Sequence, residues 1–581
     1  MKTELMKKLL NVSKGIDYPD TVIRNGKIIN VFTNEIQEGL AILIKDGWIV
    51  SVKRDEGIII PESVTEIDAE GLYLCPGFID AHTHLDSVLS YSELVPYAIR
   101  GGTTTVVSET AMVSTACGIK GALSFIGSTK GYPLKCYFVA APLTPPFPAM
   151  ESGLGLTLKQ FNSLLKRNDF VGIGEGYWTG ILDGNDRVLK QASLAISLNK
   201  KLDGHSSGAR GEKLVQYLLT GITSCHESIT IKEALDKLRF GVYVMIREGF
   251  IRKELGELSK LKDYDVDNRR IILVSDLFDP VMLIEEGYLD SVVKRAISCG
   301  FSPLDAIKMV TINPADYYGL RFAGAIAPLR WADIIFLSGI EKVGVEKVMC
   351  NGRIVFSNGS FRDKIKPCFY PEEMKHTISV EKMKEDDFKI KSKSSKNRVR
   401  VEELVNETIS KELIWEAPAE NGFIKNDILN DIICAAVIHR NNKKRMGKGF
   451  IKGTGIKNGA IATTLIWDTC NILVIGSNEK DMKEAVNRLI DLQGGITISR
   501  EGKIIYELPM PVYGLVSPDP IEILRDKIKF LNEAMKAIGS SLKRPFLAVQ
   551  TIPFTGLPLL RITDRGLADV KNKRLVSLIM D

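Results

Sequence analysis

The sequence predicts an α/β protein built around a (β/α)8 TIM-like barrel, and three observations carry that prediction. Between about 76 and 320, short apolar runs alternate with helical stretches, the pattern of parallel strands joined by crossover helices. Eight such runs can be counted, at 80–84, 103–108, 137–140, 171–175, 202–205, 222–226, 243–247 and 271–276. Several of them end in a polar residue, and in a closed parallel barrel the C-terminal strand ends are where chemistry is placed.

The flanks read differently. Residues 22–31 form an apolar run broken by Asn25-Gly26, and 41–50 repeat the design around Asp46-Gly47, so both are expected as β-hairpins with primed turns. A related phrase returns at 347–356, preceded by the apolar run 332–337. Residues 1–75 and 321–370 are therefore expected to close into one composite β-sandwich domain around the barrel, 76–320. Residues 381–400 are rich in Lys, Asp, Glu and Ser, which predicts a solvated charged linker over 371–405. Beyond it, apolar runs at 432–438, 460–466 and 472–475 with an amphipathic stretch at 480–492 predict a C-terminal α+β domain, 406–581.

Composition narrows the function classes. A chain of 581 residues with 45% hydrophobic and 25% charged residues can bury several cores. A net charge of +6 spread over 77 basic and 71 acidic residues is too dilute to favour a nucleic-acid partner. Nine cysteines, spaced singly with no C-x-x-C, fit neither a disulfide framework nor a zinc ribbon and point to a reducing cytoplasm. No apolar run approaches the roughly 20 residues of a bilayer span, and the charged start, 1–8, lacks a following apolar segment, so neither membrane nor export is expected.

The stretch Pro76-Gly77-Phe78-Ile79-Asp80-Ala81-His82-Thr83-His84-Leu85-Asp86 organises the candidate chemistry, because a strand points His82 and His84 to one side. An isolated H-x-H is equally compatible with packing. Only six histidines exist, however, and 82, 84, 205 and 226 all close proposed barrel strands, whereas 376 and 439 lie outside. Glu175 and Asp276 end two further apolar runs. A cation pair needs anionic ligands, one of them bridging, which suits Glu175, while Asp276 can both ligate and take a proton. Either acid alone could equally be a helix N-cap. Such a set predicts metal-assisted hydrolysis at a C=N or amide carbon, with Asp276 taking a proton and returning it to the leaving nitrogen. Glu227, beside His226, either assists proton transfer or caps the next helix, and Cys225 should face away from the ligands.

These residues resemble the amidohydrolase superfamily through Pro76 to His84, Gly101-Gly102-Thr103-Thr104-Thr105-Val106-Val107 and Gly324-Ala325-Ile326-Ala327-Pro328. Thr223-Ser224-Cys225-His226-Glu227-Ser228, Val244-Met245-Ile246-Arg247-Glu248-Gly249, Gly449-Phe450-Ile451-Lys452-Gly453 and Ile562-Thr563-Asp564-Arg565-Gly566 resemble, more narrowly, its bacterial and archaeal adenine deaminases. The resemblance implies a hydrolase that releases ammonia from adenine to give hypoxanthine in purine salvage. It implies a binuclear Mn2+ or Fe2+ centre held by His82, His84, Glu175, His205, His226 and Asp276. Its partner would be a small purine, and a homo-oligomer is compatible with it. Arg247, Glu248 and Asp86 are the residues expected at the substrate, with an Arg247-Glu248 ion pair as the structural alternative. Glu175 stands where hydantoinase and dihydroorotase relatives usually place a carboxylated Lys, which disfavours a cyclic amide. Three stretches depart from the family's pattern. Where H-x-H-I-E-S-S is usual, this chain has His84-Leu85-Asp86-Ser87-Val88; D-D-R-H-P becomes Ser275-Asp276-Leu277-Phe278-Asp279-Pro280; and A-H-D-S-H-N becomes Ile466-Trp467-Asp468-Thr469-Cys470-Asn471. Another aminopurine, a cyclic amide, or a non-catalytic paralogue are the alternatives this leaves.

Overall fold

The computed structural model describes residues 2–182 and 185–580. Eight parallel strands, Phe78–Thr83, Thr103–Ser108, Lys135–Ala140, Phe170–Tyr177, Lys201–His205, Ser224–Cys225, Tyr243–Arg247 and Ile271–Val274, pair in chain order in one sheet. The first and last meet where Thr83 bridges Asp276 and the Asp276 N–H donates to the His82 carbonyl at 3.0 Å, so the sheet closes into a barrel. Alternation along the strands divides their apolar side chains. Ile79, Val107, Val139, Val171, Met245 and Ile272 form one buried cluster with Tyr317 and Tyr318. Phe78, Val106, Phe138, Phe170, Val244 and Leu273 join the larger core beneath the helices. The barrel is thus packed, not hollow, up to its C-terminal mouth.

Both flanks contribute to the small β-domain, in which Tyr73–Pro76 pairs with Ile334–Leu337. Asp46-Gly47, with φ of 49° and 79°, turns Leu40–Lys45 back on Trp48–Arg54, and Asn351-Gly352, at 48° and 76°, does the same for Val345–Cys350 and Arg353–Ser357. The hairpin expected over 22–31 does not form. Thr21–Arg24 pairs with Leu40–Lys45 and Thr65–Asp68 in a four-stranded sheet, whereas Lys27–Asn30 pairs with Glu35–Gln37 and Tyr73–Pro76 in a seven-stranded one. Val22, Ile23, Ile28 and Ile29 are all buried, which a lone hairpin could not achieve. Asn25-Gly26 instead carries the chain from one layer of the sandwich to the other.

The segment 371–405 also differs from its expected character as a charged linker. Ile378, Val380, Met383, Phe388, Ile390, Val399 and Val401 are buried in the C-terminal core. Lys396–Leu404 pairs along its length with Ser410–Glu420. The charges alternate with these apolar residues and are partnered outside, as in Lys382 with Asp491 and Lys443 with Asp387, both at 2.9 Å. An averaged composition hides that alternation. The C-terminal region continues as a large mixed sheet covered by the helix Glu479–Asp491, with a second long helix, Ile521–Ala537. Val516–Ser517 pairs in parallel with Val88–Leu89, so this region docks on the loop that leaves His84.

Candidate metal centre

The strand ends gather four imidazoles around two carboxylates. His82 Nε2 lies 3.3 Å from both Glu175 Oε1 and Asp276 Oδ1, and His84 Nε2 lies 3.5 Å and 3.4 Å from the same two atoms. Across the mouth, His226 Nε2 is 3.0 Å from Glu175 Oε1 and His205 Nδ1 is 3.4 Å from Oε2. Glu175 therefore reaches all four rings, Oε1 lying near His82, His84 and His226 and Oε2 near His205. Asp276 holds its position with φ of 64°, a strained value for a side chain with Cβ, fixed by its N–H to His82.

His82 Nε2, His205 Nδ1 and His226 Nε2 are buried and lack hydrogen-bond partners. Orphaned buried nitrogens are costly in a settled fold and call for a missing partner. Nitrogens and oxygens 3.0 to 3.5 Å apart suit donors sharing a cation through bonds of about 2.0–2.2 Å. His82, Glu175, His226 and Asp276 offer donor atoms within 4.8 Å of one another, as do His205, His226 and Glu227. The residues present thus fit a metal centre, and all six expected ligands converge on it.

Arg247 organises the acidic side. Its guanidinium forks onto Glu254 at 2.8 and 3.1 Å, contacts Glu227, and lies 3.3 Å from Asp276 Oδ2. Asp276 Oδ1 is left for the histidines. Burial would raise the Glu227 carboxyl, but Arg247 and the neighbouring histidines prevail and bring it down to about 2. Burial likewise opposes ionisation of Asp276, and its contacts with His82 and His84, together with Arg247, hold it well below the usual carboxylate range. Both acids are therefore carboxylates, as a ligand or proton acceptor must be.

Two residues expected at the substrate lie elsewhere. Glu248 follows Arg247 along the strand and so faces the other way. It accepts from the Leu255 N–H at 3.1 Å and lines a separate surface hollow with Lys253 and Arg295. Asp86 is fully buried and accepts from the Val113 N–H at 3.0 Å, in the first turn of the helix Ala111–Ser128. It buttresses the wall without reaching the pocket. Cys225 bonds Ser206 on the far face, as its parity requires.

Other contributors escaped the sequence reading. Glu109, buried just past the second strand, accepts from the Glu175 N–H at 2.8 Å and orients that strand end. Burial pushes its carboxyl up to about 8, with the charge of Glu175 adding to the effect. The signal was available, since Glu109 also terminates a barrel run. Tyr177, two residues past Glu175 and so on its face, places its hydroxyl 3.2 Å from Glu175 Oε2 and 3.0 Å from Asp468 Oδ2. Asp468 comes from the C-terminal region, as do Trp467 and Phe554, and with Tyr177 they wall a pocket of about 490 Å³ that opens over Glu175, His205 and Asp276.

Comparison with known proteins agrees with this geometry. Residues 73–355 match the Amidohydrolase family, and residues 407–574 match the Adenine deaminase C-terminal domain. Adenine deaminase of Moorella thermoacetica is 34% identical over 587 residues, covering 99% of this chain and 98% of its own. The adenine deaminase of Archaeoglobus fulgidus is 33% identical over 583 residues, covering 100% and 99%. The chain belongs to the adenine deaminase family. Within that family, two of its departures fall on the pocket differently. Leu277 lines the pocket, whereas Cys470 is buried with its thiol 3.5 Å from the Met112 carbonyl.

Proposed function

We propose that this protein is a metal-dependent adenine deaminase, converting adenine and water to hypoxanthine and ammonia in purine salvage. The convergence of His82, His84, Glu175, His205, His226 and Asp276, with three ring nitrogens unpartnered, is the observation that carries the reading. Full-length likeness to adenine deaminases supplies the substrate. Glu175 would bridge a Mn2+ or Fe2+ pair held by the four histidines and Asp276. When bound, such a pair lowers the pKa of a water and neutralises developing negative charge. The oxygen of water bonds to C6 of the purine, the C6–N bond breaks, and the amine leaves as ammonia. Asp276 accepts the water's proton and returns it to the departing nitrogen. Arg247 fixes Oδ2 of Asp276 and keeps the carboxylate aimed. The rings of Tyr177, Trp467 and Phe554 exclude bulk water from the reacting end. All nine cysteines are unpaired, which supports a reducing, cytoplasmic setting. Among the described residues no helix is long and apolar enough to cross a membrane.

Purified protein supplemented with Mn2+ is expected to release ammonia from adenine with hypoxanthine as product. Asp276→Asn should lower kcat by at least about 100-fold, the usual worth of a positioned acid–base group, with the fold retained by circular dichroism. Chelation should abolish turnover and Mn2+ or Fe2+ restore it. Absence of ammonia release from adenine by fully metallated protein would refute the substrate. A second reading, another aminopurine, is favoured by Leu277 in the pocket wall, and a panel of aminopurines scored by ammonia release separates the two.

A further inference from the structure

We infer that Asp468 is a substrate-contacting residue that the C-terminal region supplies to the barrel's metal site, where its carboxylate accepts an N–H of the amine that leaves. The inference rests on the aminopurine reading above. Asp468 is 7% exposed, and what exposure it has is to the pocket it lines. One oxygen, Oδ2, is held by the Tyr177 hydroxyl at 3.0 Å. The Tyr177 ring is itself wedged, 4.5 Å from His205 and 6.0 Å from both Phe147 and Phe554. The other oxygen, Oδ1, makes no hydrogen bond among the described residues. That oxygen is open to the pocket, where a donor arriving with the substrate would meet it.

The backbone around Asp468 is arranged to present it. Asp468 and Cys470 take φ of 65° and 54°, left-handed values that side chains with Cβ rarely adopt. The loop is pinned on both sides, by Trp467 Nε1 to Gln550 Oε1 at 3.1 Å and by Asn471 Nδ2 to the Ser152 carbonyl at 2.9 Å. Tyr177 also stands 3.2 Å from Glu175 Oε2, so a single hydroxyl separates Asp468 from the proposed bridging ligand. That places the carboxylate at the reacting end of the purine. Burial pushes the Asp468 carboxyl up to about 7, and above that pH the ionised group can only accept, so it attracts the amine at C6 and repels the carbonyl oxygen that replaces it. Asp468 would thereby favour the aminopurine over the oxopurine product.

The test compares adenine with 6-chloropurine, which keeps the ring and the reacting carbon but carries chloride in place of the amine. Metal-loaded full-length protein and its Asp468→Ala and Asp468→Asn variants are assayed for kcat/KM on both substrates, with bound metal measured in each. For D468A, the ratio of kcat/KM for adenine to that for 6-chloropurine is expected to fall about 10- to 100-fold, the worth of one hydrogen bond to a charged group. D468N, which keeps an acceptor oxygen, should fall between. An unchanged ratio, whether both activities drop together or neither does, overturns the inference and leaves Asp468 as a support for Tyr177. Wild-type protein that turns over neither substrate overturns the aminopurine reading and this inference with it.

Discussion

Gly174 shows how finely single residues set this centre. A Cβ there would lie 2.1 Å from Glu109 Oε2, inside contact distance, and Glu109 in turn fixes the Glu175 N–H. Gly174→Ala must therefore displace either the buried Glu109 carboxyl or the strand that carries Glu175. It is expected to cost about 1–3 kcal/mol in chemical denaturation, the usual range for overpacking, and to lower the bound metal per chain. Adding Glu109→Ala should remove the clash, so the double variant should be less destabilised than the two single effects combined. Wild-type stability in G174A would show the steric account to be wrong. The residues proposed to hold the metal could be picked out in the sequence because each sits where an apolar run stops, and strand parity then aims it. Glu109 obeys the same rule, but the polar Ser108 just ahead of it closes the run one residue earlier. Asp468 keeps the aspartate of the stretch set against A-H-D-S-H-N, but nothing local places it in the pocket, since its partner Tyr177 is 291 residues away in the chain.

At the scale of elements, strand and turn chemistry was readable wherever the pairing partner is adjacent in sequence. Asp46-Gly47 and Asn351-Gly352 turn the chain as their residues dictate, while Asn25-Gly26 has the same chemistry and joins two different sheets. The difference lies in Leu40–Lys45 and Tyr73–Pro76, which compete for the two flanking strands and bury both of their faces. The same distinction separates 371–405 from a true linker. Phe388, 1% exposed, packs among Ile390, Ile432, Cys434 and Val486 in the C-terminal core. Phe388→Ala is accordingly expected to destabilise the protein by about 3–5 kcal/mol, measured by chemical denaturation. A solvated linker would tolerate the change within about 0.5 kcal/mol, and such a result would make the segment the charged linker its composition predicts.

The whole molecule is held together partly by buried acids at the seam between the barrel and the C-terminal region. Glu151, 1% exposed, accepts from the Phe147 N–H at 3.0 Å on the barrel side and from the Thr555 hydroxyl at 2.6 Å across the seam. Burial pushes its carboxyl up to about 8; the Thr555 and Phe147 hydrogen bonds pull the other way, and the nearby charges of Asp468 and Asp564 add to the rise. In the unfolded chain the same group ionises near 4.5. Between these values the folded state keeps a proton that the unfolded state has lost. Folding stability from this group is therefore greatest below about pH 4.5, declines as pH rises, and its loss levels off above about 8. The amplitude is on the order of a few kcal/mol. Glu151→Gln keeps the shape and one acceptor oxygen for the Phe147 N–H, with its amide NH2 left to donate to the Thr555 hydroxyl, in a form that cannot titrate. Denaturation midpoints of wild type and E151Q should therefore diverge from pH 5 to 9, with the variant gaining relative stability as pH increases. Parallel profiles across that range would mean that Glu151 is ionised in the fold and that the seam is held by its charge, not by its neutral acid.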